Sequence, residues 1–122
     1  MIIEVLLQTP AARRVNRFIF APNETLHAPH LIDLEITQVL RRYVRTAVIS
    51  ADRGAEALAD LADFPLTRYP HQFLLLRIWQ MRHALTAYDA AYLALAEALD
   101  APLITRDRAL AKAGSRVRVE VI

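Results

Sequence analysis

Between His83 and Glu97 the chain carries a single charge, Asp89, in a run otherwise made of Ala, Leu, Thr and Tyr. The spacing predicts a helix over Tyr88–Leu99, opened by Thr86, that is apolar nearly all round. A helix of that kind must be packed on both sides, because it has no polar face to turn to water. This one requirement excludes an open surface element and asks for a layered fold.

The flanking sequence supplies candidate layers. Ile32, Ile36, Val39, Leu40 and Tyr43 form one stripe of a helix over Leu31–Val48, and an Ala-rich helix with Leu58 and Leu61 follows over Ala51–Asp63. A third helical stretch covers His71–Ala84. Short strands are expected at Thr25–Ala28, Pro65–Tyr69 and Pro102–Thr105, with a last one where Val117, Val119 and Val121 alternate. A short helix over Arg106–Ala113 is closed by Gly114. The prolines at positions 10, 22, 29, 65, 70 and 102 mark element boundaries. Strands alternating with helices imply right-handed crossovers, so the expected class is α/β, helix-rich, with a short and mostly parallel sheet. The expected organisation is one domain over residues 1–122.

Composition narrows the chemistry. With 21 Ala and 18 Leu against 2 Gly, helix is favoured and a glycine-rich phosphate loop is excluded. The absence of Cys removes disulfides, thiolate metal sites and cysteine nucleophiles. No apolar run reaches membrane-spanning length, and no basic segment precedes the apolar N-terminus, so the expected location is cytoplasmic. Arg supplies 14 of the 15 basic residues, several in clusters such as Arg13, Arg14 and Arg17 or Arg41, Arg42 and Arg45. These are either a solvated surface or a footprint for an anionic partner. His27, His30, His71 and His83 show no helical metal spacing, and Ser50 and Ser115 lack a triad context. Phe73, Ile78 and Trp79 follow helical spacing and read as core or dimer interface rather than as a base-stacking platform.

Three carboxylates stand out of place. Glu35 falls on the apolar stripe of its helix, where it needs a cation, an Arg such as Arg42, or access to water. Asp89 lies three residues after Thr86, a spacing that suits a capping box as well as a ligand. Asp107 follows a strand by two residues, either as a helix cap or as a ligand beyond the carboxyl end of a parallel strand, with Thr105 beside it. One explanation unites the three: carboxylates around a divalent cation, Mg²⁺ or Mn²⁺, which prefers hard oxygen donors.

The segment Pro29-His30-Leu31-Ile32-Asp33-Leu34-Glu35-Ile36-Thr37-Gln38-Val39-Leu40 resembles the second motif of PIN-domain proteins. Leu85-Thr86-Ala87-Tyr88-Asp89-Ala90-Ala91-Tyr92-Leu93-Ala94-Leu95-Ala96-Glu97 resembles the third motif of their VapC toxin branch, and Pro102-Leu103-Ile104-Thr105-Arg106-Asp107-Arg108-Ala109-Leu110 the fourth. The resemblance implies a three-layer α/β/α PIN-like fold. It also implies a Mg²⁺- or Mn²⁺-dependent endoribonuclease, the toxin of a type II toxin–antitoxin pair, that forms a homodimer and is inhibited by a small antitoxin protein. Carried over by motif, Glu35, Asp89 and Asp107 are the metal-binding carboxylates and Thr105 a supporting catalytic hydroxyl. Arg82, Arg106 and Arg108 are placed to meet RNA or antitoxin. The family also begins with a strand ending in an Asp, whereas Met1–Gln8 resembles the helix that follows it. The expectation is that the sequence starts downstream of that Asp, by choice of start codon or by truncation. If the chain begins there naturally, residues 1–7 could form a strand instead, and the alternative function is a catalytically impaired interaction protein that binds antitoxin or RNA.

Overall fold

The structure is a computed structural model that describes residues 6–7, 12, 16–17 and 23–122, in two compact units that divide after Thr67. In the first unit, strand β1 (His27–Pro29) leads through His30 into helix α1 (Leu31–Arg45), and helix α2 (Ala51–Ala62) packs back on α1. Ile36 and Leu40, one turn apart, are the buried ridge of α1; Gly54, Ala57 and Leu61 are that of α2. The two helices approach closely at Gly54, where a Cβ would stand 3.0 Å from Cγ2 of Val44. Ser50 opens α2 by accepting a 3.1 Å hydrogen bond from the Arg53 amide. Strand β2 (Thr67–Tyr69) begins where the Thr67 amide donates to the Leu26 carbonyl at 2.9 Å.

The second unit is built around the apolar run. Helix α4 (Ala87–Leu99) buries Ala90, Ala91 and every residue from Leu93 to Glu97. A 3-10 turn (Gln72–Leu74) and helix α3 (Leu75–Gln80) cover it with Leu74, Ile78, Met81 and Leu85, and Leu110 joins the same cluster. Leu103, Val117 and Val119 pack against that cluster. Strands β3 (Leu103–Thr105) and β4 (Val119–Val121) pair in parallel, with Leu103 opposite Val119 and Thr105 opposite Val121. The ladder is closed at its ends by the Leu103 amide on the Arg118 carbonyl and the Ile122 amide on the Thr105 carbonyl, each at 2.9 Å. Helix α5 (Arg108–Ala111) lies against β4. The parallel pairing and the helix-rich α/β class agree with the sequence reading.

Four elements differ in extent from the sequence reading. The expected Leu31–Val48 helix stops at Arg45 because Ala47 turns left-handed (φ 58°), and its amide and that of Val48 bond back to Val44 and Tyr43 at 3.1 and 2.8 Å. The expected helix over His71–Ala84 is instead the 3-10 turn, the six-residue α3 and a series of tight turns in which the Ala84 and Leu85 amides share the Met81 carbonyl. The first expected strand shifts to His27–Pro29, and the expected Arg106–Ala113 helix shortens to α5. Leu6 and Leu7 are helical, so a strand does not run through them; residues 1–5, where the rest of that expectation falls, lie outside the described residues, as do Arg13 and Arg14. Among the described residues no helix is long and apolar enough to cross a membrane.

Candidate metal site

Asp89 sits in the first turn of α4, and the local sequence explains how. Thr86 is extended (φ −63°, ψ 157°), and its Oγ1 accepts the Asp89 amide at 3.2 Å. The cap therefore uses the Asp89 backbone and leaves its half-buried carboxylate without a partner among the described residues.

Thr105 and Asp107 are brought together at the carboxyl end of β3. The Asp107 amide donates to the Thr105 Oγ1 at 3.0 Å, and Oδ1 of Asp107 caps α5 by accepting the Ala109 amide at 2.8 Å. Asp107 is exposed, and one of its oxygens is committed to the cap. The capping reading of this residue is met, and the residue stands two positions beyond the carboxyl end of β3.

Glu35 lies in the first unit, beside the stripe on which the sequence placed it: the buried ridge of α1 is Ile36–Leu40, and Glu35 is exposed, with the access to water that was one of its expected outlets. One residue corresponds to about 100° around a helix, enough to carry Glu35 off that ridge. Among the described residues, no three His, Asp or Glu side chains gather into a group that could hold a metal ion. The donor chemistry of Asp89 and Asp107 nevertheless suits a hard divalent ion: Mg²⁺ commonly takes one or two carboxylates and fills the rest of its shell with water and phosphate. Both carboxylates reach solvent, so hydration of such an ion is not obstructed.

Of the arginines singled out, Arg82 is exposed with its guanidinium 4.6 Å from the Trp79 ring centroid and Nη1 donating to the Trp79 carbonyl at 3.1 Å. Arg106 and Arg108 flank Asp107 and are exposed.

A fourth carboxylate was not singled out by sequence reasoning. Glu97 is buried at the end of α4 (7% exposed) and accepts Arg77 Nε at 2.7 Å, Arg77 Nη2 at 3.0 Å and Ser115 Oγ at 2.7 Å. Its own backbone carbonyl accepts Nη2 of Arg116 at 3.0 Å. The Arg77 hydrogen bonds hold the Glu97 carboxyl below the usual carboxylate range against the opposing effect of burial, and Ser115 and the charge of Arg116 add to the lowering. The Arg77 pKa is raised in return, first by the hydrogen bonds to Glu97. A Glu inside an apolar helical run, with an Arg on the preceding helical stretch, was the available signal.

The PIN domain family matches residues 1–115. Among curated proteins, "VapC ribonuclease Mb0985" of Mycobacterium bovis is 46% identical over 91 residues, covering 75% of this chain and 72% of its own. "Ribonuclease VapC1" of Mycobacterium tuberculosis is 48% identical over 88 residues, covering 71% of this chain and 66% of its own. "Ribonuclease VapC12" of the same species is 36% identical over 121 residues, covering 98% of this chain and 92% of its own. The segments with Glu35, Asp89 and Asp107 lie inside the matched family region. The chain belongs to the PIN-domain family, in the branch of the VapC ribonucleases.

Proposed function

We propose that this chain is a Mg²⁺- or Mn²⁺-dependent endoribonuclease acting in the cytoplasm as the toxin of a type II toxin–antitoxin pair. Its partners are RNA, a small antitoxin protein and a second copy of the chain. The observation that carries the reading is the Asp89 carboxylate, which holds no hydrogen bond among the described residues, at the head of a buried helix in a chain related to named ribonucleases. Oxygens without such a bond are available for a cation.

Asp89 and Asp107 would hold the ion, with Glu35 as a third ligand by motif. Bound there, Mg²⁺ or Mn²⁺ supplies a water of lowered pKa and offsets charge on the phosphodiester under attack. Thr105 fixes the start of the Asp107 loop through its hydroxyl and so orients that carboxylate. Arg106 and Arg108 flank the same loop and bind RNA phosphates, which sets the scissile bond in line for water to attack. Hydrolysis leaves a 5′-phosphate and a 3′-hydroxyl. Arg82 serves RNA or antitoxin from the turn before α4.

The test is cleavage of a mixed RNA pool with Mg²⁺, with Mn²⁺ and with EDTA, and with Asp89→Asn in parallel. Metal-dependent cleavage abolished by Asp89→Asn is the expected result. Cleavage that persists undiminished in Asp89→Asn removes that carboxylate from the site. No cleavage by either protein overturns the enzymatic reading and leaves the chain as a PIN-fold interaction protein.

A further inference from the structure

Near its start helix α1 carries Glu35, the carboxylate assigned to the metal by motif, and it ends in the cluster Arg41, Arg42 and Arg45. A helix turns about 100° and rises about 1.5 Å per residue. Arg42 therefore stands within ~20° of Glu35 and about 10 Å along the axis from it. Gln38 and Arg45 flank that line at roughly 60° and 80°, with Arg45 about 15 Å from Glu35. All four side chains are exposed, so the carboxylate and two of the arginines share one solvent face of one helix.

This cluster differs from the arginines that serve the fold. Arg53, Arg77 and Arg118 stand opposite Glu56, Glu97 and Glu120 at 3.3, 2.7 and 2.7 Å. Arg41, Arg42 and Arg45 have no carboxylate partner among the described residues. The Arg42 guanidinium lies over the Tyr43 ring, 5.8 Å from its centroid. Arg41 and Arg45 are four residues apart and Arg42 and Arg45 three, spacings at which like charges repel along a helix. The negative end of the helix accounts for a cation in the last turn, but not for three that repel one another. Their charge is left uncompensated within the described residues, as a site for an external anion requires.

We propose that Arg42 and Arg45 form a phosphate track, which carries an RNA strand along α1 away from its Glu35 end. The inference rests on the ribonuclease reading for the identity of the anion, and adds to it the residues that hold the strand beyond the scissile bond. A guanidinium is a planar fork that takes a phosphate through two parallel hydrogen bonds and keeps its charge at any ordinary pH. Cations placed in line beyond a metal ligand suit a substrate whose phosphates continue past the reacting one. A protein partner asks instead for apolar or aromatic anchors at the centre of the face. Leu34 is the large apolar side chain that α1 exposes, and it stands about 100° round the helix from Glu35.

The experiment measures binding of a fluorescein-labelled oligouridylate to the full chain by anisotropy, in EDTA so that the probe stays whole, over about 50 to 200 mM KCl. The variants are Arg42→Gln, Arg45→Gln, the double Gln variant and the double Lys variant. Each phosphate contact on a single strand adds ~0.7 to the slope of log affinity against log salt. Each single Gln variant should lower the slope by ~0.7 and weaken binding ~5-fold at ~0.1 M salt, and the double by ~1.4 and ~25-fold. The double Lys variant, which keeps both charges, should keep the slope. Arg118→Gln removes the same net charge from a side chain already paired with Glu120, and should leave the slope unchanged. Far-UV circular dichroism should be unaltered throughout, because these side chains are exposed. A wild-type chain that does not bind the probe overturns the inference. So does a slope unchanged in the double Gln variant, which leaves the cluster to an acidic protein, or one lowered as much by Arg118→Gln. Cleavage is assayed separately with Mg²⁺ or Mn²⁺: cleavage with unchanged slopes sinks the track alone, and the expected slopes without cleavage sink the nuclease reading alone.

Discussion

The Arg77–Glu97 pair makes an asymmetric prediction, because its partners are unequally exposed: the side chain of Glu97 is 8% accessible and that of Arg77 40%. Arg77→Met removes both guanidinium hydrogen bonds and strands a buried carboxylate with Ser115 as its remaining side-chain donor. Hydrogen bonds to charged groups contribute ~1.5–3 kcal/mol each. Allowing for the solvent that already screens Arg77, the loss should be about 3 kcal/mol. Glu97→Met removes the buried charge itself. Arg77 then swings into water, and the cost falls to about 1–1.5 kcal/mol, mostly the unpaired Ser115 hydroxyl. The double variant should lie near Glu97→Met, which gives a coupling of about 2–3 kcal/mol.

Urea unfolding followed by circular dichroism at pH 7 measures all four corners of this cycle. The pH dependence carries a sign as well. The folded-state pKa of Glu97 is lowered, so the pair's contribution is complete above the unfolded value of about 4.3 and is lost as pH falls through the folded value. Wild type and Glu97→Met should therefore converge in stability on acidification below about pH 4. Equal losses for the two single variants at pH 7, or a larger loss for Glu97→Met, would refute the reasoning that burial of the carboxylate dominates.

Thr86→Ala removes the hydroxyl that caps α4 and should cost about 1 kcal/mol by urea unfolding, with Thr86→Ser restoring most of it. Ala47→Gly should raise stability by about 0.5–1 kcal/mol, since relief of the left-handed strain outweighs the added freedom of the unfolded chain; a loss would mean that α1 does not end in this turn. Gly54→Leu should destabilise by about 2–3 kcal/mol, because even a Cβ there stands 3.0 Å from Val44.

Where local chemistry decides, the sequence was legible. Thr86 three residues before Asp89 gave the start of α4, and the alternation of Val119 and Val121 after Gly114 gave β4. Legibility failed where tertiary context decides. Ala47 is a residue type that avoids positive φ, so nothing in its identity announces the end of α1. Glu35 sits among apolar residues at helical spacing, yet the ridge that is buried runs one residue beside it. Periodicity fixes a stripe to within a residue, and one residue is the difference between a core carboxylate and an exposed one. Glu97 went unmarked because its partners, Arg77 and Ser115, stand 20 and 18 residues away along the chain.

Helix capping and metal binding ask for the same residue types in the same places, so position alone cannot separate the two roles for Asp89 and Asp107. The oxygen atoms can. In Asp107 the cap consumes Oδ1, and substitution by Asn or Ser would preserve that bond while removing the charge. In Asp89 the cap is made by Thr86, and the Asp89 side chain contributes no hydrogen bond to it. A half-buried carboxylate that accepts no hydrogen bond among the described residues brings them a desolvation cost without that compensation. Its favourable interaction with the helix N-terminus offsets part of that cost, about 0.3–1 kcal/mol. Asp89→Asn should consequently change stability by less than ~1 kcal/mol while abolishing cleavage, whereas Asp107→Ala should lose both a cap and activity. Separating the two readouts at these positions distinguishes a ligand from a cap, and at Asp89 the helix N-terminus alone offsets the cost that folding places on the charge.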